Sequence, residues 1–207
     1  MNLKLIQMKN LILITIILIC TFSYSQTSND YYDIGVENAK KNNHNEAINN
    51  FTKAIALNSN HALAYSARGA SKKDLKDYIG AIQDYDKAIM IIPTDYEFYY
   101  NRGVVKSDFG KNTDAMVDYN KAIEINPYFT QAYYNRAVIK FSFKDYRGAI
   151  KDYDKAIELD PKFSKAYYNR GISKYLINDK VNGCLDLSKA GELGHSGAYD
   201  LIQKHCN

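Results

Sequence analysis

The chain contains only three prolines, and they fall at Pro93, Pro127 and Pro161, each 34 residues after the one before. A fixed interval of about 20 to 50 residues is typical of proteins built from repeated units. Each unit of such a protein contacts only its neighbours, so the interval predicts an array in which one small motif is stacked several times. The composition, 46% hydrophobic and 24% charged, excludes a wholly disordered chain.

Aligned on the prolines, the chain divides into similar units with the proline at position 32. The units are 28–61, 62–95, 96–129, 130–163 and a degenerate 164–196. Position 4 is tyrosine in every unit, position 8 is glycine or alanine, and position 27 is alanine throughout. Residues three or four apart share one face of a helix. Small residues at positions 8, 20 and 27 would let two helices approach, and large residues at 4 and 24 would fill the space between neighbours. Each unit is therefore predicted to be a helix, a tight turn and a second helix.

Signals at the ends of the second helix support this division. The proline at position 32 is expected to stop that helix. An aspartate at position 16 is expected to cap its start, and this residue is Asp77, Asp145 or Asp179. The first and last units lack the proline and have Ser59 and His195 there, as expected of atypical terminal repeats.

This pattern resembles the tetratricopeptide repeat (TPR) family over residues 28 to about 194. The resemblance implies an all-α fold, a right-handed α-solenoid (superhelix) of five helix-turn-helix repeats. It also implies a non-enzymatic scaffold whose partners are other proteins or peptides. Three positions depart from the family. Position 4 is tyrosine where tryptophan is common, and in units two to five position 7 is arginine where leucine is usual and position 11 is lysine where tyrosine is common.

The arginines at position 7 occur together with aspartates at position 23. Both positions are about equally far from the turn, so an antiparallel hairpin would bring them level. The predicted pairs are Arg68 with Asp84, Arg102 with Asp118, Arg136 with Asp152, and Arg170 with Asp186. The first unit has Ile34 and Asn50 instead, so both partners are missing together. The alternative is that these residues are solvated surface charges.

In the family this chain resembles, positions 2, 5, 6, 9, 12 and 13 of the first helices line a concave groove that binds peptides or helices. Tyrosine at position 5 offers apolar area with a polar tip, and asparagine at position 6 offers a donor and an acceptor. The candidate peptide-binding residues are Tyr100, Asn101, Tyr134, Asn135, Tyr168, Asn169 and Lys165. Lys165 and Asn169 match a fragment of the carboxylate clamp of chaperone adaptors, but positions 9 and 13 are not basic, so that specificity is not implied. The alternative is that these tyrosines and asparagines only pack and bond within the solenoid.

Residues 197–207 are predicted to form a C-terminal capping helix, with Ser196 as its N-cap. Cys184 lies 11 residues before His195, and Cys206 lies 11 after it, so a helical hairpin would place the two cysteines opposite each other. A Cys184–Cys206 disulfide is the favoured interpretation in an exported chain. Free buried thiols and a metal site that includes His205 are the alternatives. Adjacent residues on a helix point about 100° apart, which argues against the metal.

Residues 1–25 are predicted to be a signal peptide rather than part of the fold. Two lysines, Lys4 and Lys9, precede the apolar run 11–22, and small residues end the segment before Gln26. The expected cut follows Ser25, and Met8 is an alternative start.

This leader predicts export to the periplasm or the exterior, without stable membrane insertion after cleavage. An uncleaved anchor is an alternative, but the apolar run is short against the roughly 20 residues that span a bilayer. Lipid attachment at Cys20 is another, although lipoprotein signals place a small residue before the cysteine and Ile19 stands there.

The remaining composition argues against several classes of function. The net charge is +4, of which Lys4 and Lys9 account for two, so no nucleic-acid partner is indicated. The sequence contains no nucleophile elbow, phosphate loop or metal-ligand cluster, so no catalytic residue, cofactor or metal is predicted. A protein-binding scaffold is the favoured hypothesis. The alternatives are a structural component of a cell-envelope assembly that uses the convex face or the ends and, more remotely, an enzyme or ligand receptor.

Overall fold

The computed structural model describes residues 26–206, so the predicted signal peptide, 1–25, lies outside the described residues. Between 26 and 206 the fold is an all-α solenoid without strands, which confirms the predicted fold class. The helices are α1 (Ser28–Lys40), α2 (His44–Leu57), α3 (Ala62–Asp74), α4 (Tyr78–Ile91), α5 (Tyr96–Asp108), α6 (Asn112–Ile125), α7 (Thr130–Ser142), α8 (Tyr146–Leu159), α9 (Ser164–Leu176), α10 (Lys180–Glu192) and α11 (Ala198–His205).

The first ten helices form five hairpins, and each helix packs mainly on the ones before and after it in the chain. Close approach depends on small residues opposite aromatic rings. A Cβ atom built on Gly35 would lie 2.5 Å from the Phe51 ring, and one on Gly103 would lie 2.8 Å from the Tyr119 ring. The position-27 alanines are fully buried between hairpins; they are Ala54, Ala88, Ala122, Ala156 and Ala190. The repeat is therefore a packing pattern of small against large residues.

Two residues after the end of each first helix, position 15 has a left-handed backbone. The five residues are Asn42, Lys76, Gly110, Lys144 and Asn178, with φ between 61° and 80°. In repeat 3 the N–H of Lys111 donates to Lys106 O at 2.8 Å, and that of Gly110 donates to Ser107 O at 2.9 Å. These bonds satisfy carbonyls at the helix end, as in a Schellman motif. The tight turn of every hairpin is thus made by the same backbone conformation, even where the residue is a lysine.

We expect Gly110→Ala to lower the free energy of unfolding by about 1 kcal/mol, because an L-residue pays for the left-handed conformation. No atom lies within 4 Å of a Cβ built there, so the cost would come from the backbone alone. Lys144→Ala is the matched control, because it exchanges one L-residue for another at the same position, and should stay within about 0.5 kcal/mol. Urea unfolding followed by helical circular dichroism measures both. An equal loss in the two variants would contradict this account of the turn.

All three predicted aspartates occupy the N-cap position of a second helix, and two of them form the capping bond. The carboxylates of Asp77 and Asp145 accept from the backbone N–H groups of Gly80 and Gly148, both at 2.9 Å. Asp179 also occupies the N-cap position, but the predicted backbone bond is wrong. Its carboxylate accepts from the side-chain amide of Asn182 at 2.9 Å instead.

The second helices of repeats 2 to 4 stop two residues before their prolines. In repeat 1, α2 likewise ends at Leu57, two residues before Ser59. The proline therefore marks the end of the helix, but the helix also stops without it.

The last turn of the solenoid differs from the prediction. Helix α11 begins at Ala198 after Gly197, with no side-chain cap, so Ser196 as N-cap is wrong. The turn instead uses Gly194 with φ 88°, and the N–H of His195 donates to Ala190 O at 2.9 Å. Helix α11 packs on α10 and covers the end of the array.

Over residues 26–206, none of the helices combines the length and apolar character needed to cross a bilayer.

Candidate functional site

Repeats 2 to 5 each contain an arginine–aspartate pair that joins their two helices. In repeat 3, Arg102 Nε lies 3.0 Å from one carboxylate oxygen of Asp118, and Arg102 Nη2 lies 2.6 Å from the other. The same two-point contact joins Arg68 to Asp84, Arg136 to Asp152, and Arg170 to Asp186. Two-point contacts between charged groups are the stronger and more directional kind of hydrogen bond. The structure therefore brings together all eight residues of the predicted pairs.

The lysine at position 11 shares the same carboxylate. Lys106 Nζ lies 2.8 Å from Asp118 Oδ2, and the equivalent contacts are Lys72 with Asp84, Lys140 with Asp152, and Lys174 with Asp186. The side chain of Asp118 is only 2% exposed. Each aspartate is thus a buried anion in contact with two cations. Its negative charge offsets the repulsion expected between arginine and lysine four residues apart on one helix face.

The arginine also reaches the preceding repeat. Arg102 Nη1 donates to Asp86 Oδ1 at 2.6 Å. The residue in the place of Asp86 is Thr52 for Arg68, Asn120 for Arg136, and Asp154 for Arg170. Each guanidinium also lies over the tyrosine at position 4 of its own helix, at 5.2–5.6 Å from the ring centre. We call these arginines, lysines and aspartates the charged ladder, because it links helices within each repeat and repeats to one another.

Two of these contacts were not predicted from the sequence. The contact from the arginine to the preceding repeat could have been found in the sequence, because position 25 has an oxygen acceptor wherever the next repeat has arginine. The contact of the lysine with the aspartate could also have been found in the sequence, because position 11 is lysine in the same four repeats and Asn38 in the first.

The pKa of Arg102 is raised although burial acts to lower it, because the hydrogen bonds and charges of Asp118 and Asp86 outweigh the burial.

The candidate peptide-binding residues form a second ladder along the first helices. Asn135 Nδ2 donates to Tyr100 Oη at 3.1 Å, and Asn169 Nδ2 donates to Tyr134 Oη at 3.0 Å. Each asparagine therefore binds the tyrosine of the repeat before it. For Asn101 the residue in the tyrosine's place is Ser66, so the aromatic ring and its phenolic hydroxyl are missing there.

Aromatic or histidine rings support these tyrosines from the turn between repeats. The Tyr100 and Phe129 ring centres are 4.8 Å apart, and so are those of Tyr134 and Phe163. Tyr168 is stacked on His195 at 4.0 Å, and Tyr32 lies 5.0 Å from His61. Repeat 2 has Ser66 at position 5 and Asp95 at the supporting position, so ring and support are missing together. We call the position-5 tyrosines with their asparagines the inner ladder.

The inner ladder is partly buried, and its donors are used within the protein. Burial raises the pKa of Tyr100 and Tyr134, although the hydrogen bond from the asparagine opposes the shift. Burial also raises the pKa of Tyr119 and Tyr153, and the amides of Asn135 and Asn169 act to lower it. What these amides can still offer a ligand is the acceptor oxygen. Lys165 is exposed on the first turn of α9.

The cysteines are joined at the C-terminal end. The structure contains a disulfide between Cys184 and Cys206, with Cα atoms 5.7 Å apart. Within residues 26–206, no group of three or more histidine, cysteine, aspartate or glutamate side chains is placed to hold a metal ion. The disulfide fastens the end of α11 to α10.

Repeated helical hairpins with supporting ladders define a helical-repeat scaffold. Three tetratricopeptide repeat models match the sequence, one at residues 31–61, 62–95 and 96–129, one at 130–163 and one at 152–186. Because these matches extend over residues 31–186, the chain belongs to the tetratricopeptide repeat family. The search of curated proteins found no match.

Solved structures with the same fold are similar to this chain at low identity. MamA from Desulfovibrio magneticus RS-1 is 20% identical with a TM-score of 0.74, covering 82% of this chain and 96% of its own. YrrB, described as a TPR protein with an unusual peptide-binding site, is 21% identical with a TM-score of 0.70, covering 84% and 90%. PilF from Pseudomonas aeruginosa is 16% identical with a TM-score of 0.76, covering 84% and 80%. These structural similarities show that this chain shares the fold of these proteins.

Proposed function

We propose that this protein is a non-enzymatic scaffold that binds peptide segments or helices of other proteins along its inner face. The inner ladder across repeats 3 to 5 carries this proposal. It presents Tyr100, Tyr134 and Tyr168 in register, one from each repeat. Tyrosine is favoured at protein interfaces because it combines a large apolar area with a polar tip.

The rigidity of the ladder favours binding. Each tyrosine is fixed by a ring from the next turn, and Tyr100 and Tyr134 also by an asparagine, so little side-chain freedom would be lost when a partner binds. The asparagine oxygens could accept from the backbone N–H groups of an extended peptide. The aliphatic side chains at position 9, such as the partly exposed Val138, lie one helical turn further along the same face.

The compartment and the partners form part of the same proposal. The leader indicates export to the periplasm or the exterior, where disulfides such as Cys184–Cys206 form and persist. Partners would then be exported or envelope proteins, and the small net charge favours protein over nucleic acid. The description of YrrB as having a peptide-binding site is consistent with peptide binding on this fold.

A second candidate function uses the outer surface. Met90, Val117 and Val181 lie on second helices and are 73%, 62% and 75% exposed. A structural component of a cell-envelope assembly that docks through its convex face would use exposed apolar side chains of this kind.

One pair of substitutions separates the two functions. Peptides would be selected from a phage-displayed library on the purified protein and then measured against Val138→Arg and Val117→Arg. Both variants place arginine at an exposed valine, the first on a first helix and the second on a second helix. We expect Val138→Arg to abolish binding of the selected peptides because the charge blocks the inner face, and Val117→Arg to retain it. The reverse result would favour the convex face and overturn the proposal, as would a library that yields no binding peptide.

A further inference from the structure

A pocket of about 330 Å³ lies between α9 and the capping helix α11. Its walls are largely aliphatic, with Ile172 and Leu176 from α9, Leu187 from α10 and Leu201 from α11. Ligand pockets in proteins range from about 300 to 1,000 Å³, so this one suits a single side chain better than a helix. Its chemistry therefore selects an apolar group of modest size.

The pocket is continuous with the inner ladder. Tyr168, the last tyrosine of the ladder, lines it together with Tyr175 and His205. The Tyr175 hydroxyl lies 3.5 Å from His205 Nδ1. These two groups are the polar part of an otherwise apolar lining. A peptide that follows the ladder towards repeat 5 would reach the pocket at Tyr168.

One wall of the pocket depends on the disulfide. Helix α11 has only eight residues, and helices this short are unstable in water by themselves. The Cys184–Cys206 bond fixes its last turn to α10, next to His205 on the pocket wall. Without that bond, Leu201 and His205 would be held only by the packing of α11.

We propose that this pocket binds one apolar side chain, such as leucine, methionine or phenylalanine, of the partner's peptide, and that the closed disulfide is needed to form it. The inference rests on the proposed peptide-binding function, for which it names the anchor residue. A dithiol reductant would break the Cys184–Cys206 bond by thiol–disulfide exchange. The reductant becomes a disulfide, and Cys184 and Cys206 gain two electrons and two protons as free thiols. Reduction would therefore release the partner.

The probes are small amides observed by NMR on the purified, oxidised protein. We expect N-acetylleucinamide and N-acetylphenylalaninamide to shift the backbone resonances of Ile172 and Leu201 in a saturable manner, and N-acetylglycinamide to leave them unchanged. Ile172→Trp should fill the pocket and abolish the shift of Leu201. Ile79→Trp, at an isoleucine of α4 that is 60% exposed and far from the pocket, should leave the shifts of Ile172 and Leu201 unchanged. The chain has no native tryptophan, so the emission of each variant shows whether the new ring is buried in a folded protein.

A second variant and a redox arm complete the test. Leu176→Lys alters a half-exposed pocket residue, which should preserve folding, and is expected to weaken binding of the leucine probe. Treatment with dithiothreitol should do the same in the wild-type protein. Unchanged binding in Ile172→Trp and Leu176→Lys, or equal shifts with the glycine probe, would overturn the proposal that the pocket binds an apolar side chain. Unchanged binding after reduction would overturn the proposed need for the disulfide.

The result is separable from the inner-face proposal. If displayed peptides bind and Val138→Arg abolishes their binding while the leucine probe never binds, the pocket proposal is wrong and the scaffold function stands. If the leucine probe binds while peptide binding is indifferent to Val138→Arg, the pocket stands and the inner-face proposal fails. Shifts that appear only as protein concentration rises would assign the pocket to a second copy of the chain and overturn the peptide anchor.

Discussion

Asp118→Ala is expected to lower the free energy of unfolding by about 3–5 kcal/mol, because it removes the anion from a buried charge cluster. Arg102 and Lys106 would then face each other around an empty site, with neither charge compensated by Asp118. Replacing the carboxylate with an amide in Asp118→Asn keeps an acceptor oxygen and the shape, so a smaller loss is expected. Urea unfolding followed by circular dichroism measures both variants.

The control for this prediction lies on the same helix. Glu124 is also paired with a lysine, Lys121 at 2.7 Å, but both side chains are well exposed. Exposed pairs contribute about 0–1 kcal/mol, so Glu124→Ala should change stability little. If Asp118→Ala costs no more than Glu124→Ala, the charged ladder is a solvated surface feature and the paired interpretation is wrong.

The first repeat offers a stricter test. It has Ile34, Asn38 and Asn50 where repeat 3 has Arg102, Lys106 and Asp118. Transferring the neutral set to repeat 3 removes all three charges together and leaves only Asp86 without its partner, and the side chain of Asp86 is half exposed to solvent. Because replacing a whole buried ion cluster is often close to neutral, this triple variant should lose less stability than Asp118→Ala alone. A larger loss would show that the cluster stabilises by more than mutual compensation.

Much of the fold could be predicted because the repeat displays the same constraint several times. Small residues facing aromatic ones, with a proline every 34 residues, fixed the hairpin and the order of stacking. The pairing of arginine with aspartate could be predicted from their joint absence in the first unit. A single copy of the motif would not have separated a buried pair from two surface charges.

The features that escaped prediction depend on contacts between repeats or at the end of the array. The bond from Asn135 to Tyr100 joins residues 35 apart, and no rule of helix periodicity relates them. The N-cap of α11 was assigned wrongly because Ser196 is a favourable cap by type, whereas the backbone of Gly194 determines the turn. The pocket beside α11 has no repeat-based signal, since it forms where the pattern stops.

The protein should unfold cooperatively at alkaline pH because of the tyrosines at position 24. Tyr85, Tyr119 and Tyr153 are 1–2% exposed, and burial raises the pKa of each well above its ordinary value. In the unfolded chain they ionise near pH 10. Above that pH the unfolded state binds fewer protons than the folded state, so stability falls as pH rises and is fully present below pH about 10.

The size of the effect follows from the number of buried hydroxyls. Each tyrosine that stays protonated only in the folded state costs about 1.4 kcal/mol per pH unit. Three of them together cost about 4 kcal/mol per unit, which is large against a typical stability of about 5–15 kcal/mol. We expect loss of helical circular dichroism between about pH 11 and 12, with tyrosinate absorbance rising in the same transition.

The chain itself supplies the variant that tests this mechanism. Phe51 occupies position 24 in the first repeat and is fully buried, so phenylalanine fits there. The triple variant Tyr85→Phe, Tyr119→Phe, Tyr153→Phe should unfold at higher pH than the wild type. At neutral pH we expect each substitution to change the free energy of unfolding by no more than about 1 kcal/mol, because only a hydroxyl is removed. Replacing the exposed Tyr128 and Tyr199 with phenylalanine should leave the midpoint unchanged. If the triple variant keeps the wild-type midpoint, or if the buried tyrosines ionise before the helices melt, burial of these hydroxyls does not govern the alkaline limit of the fold.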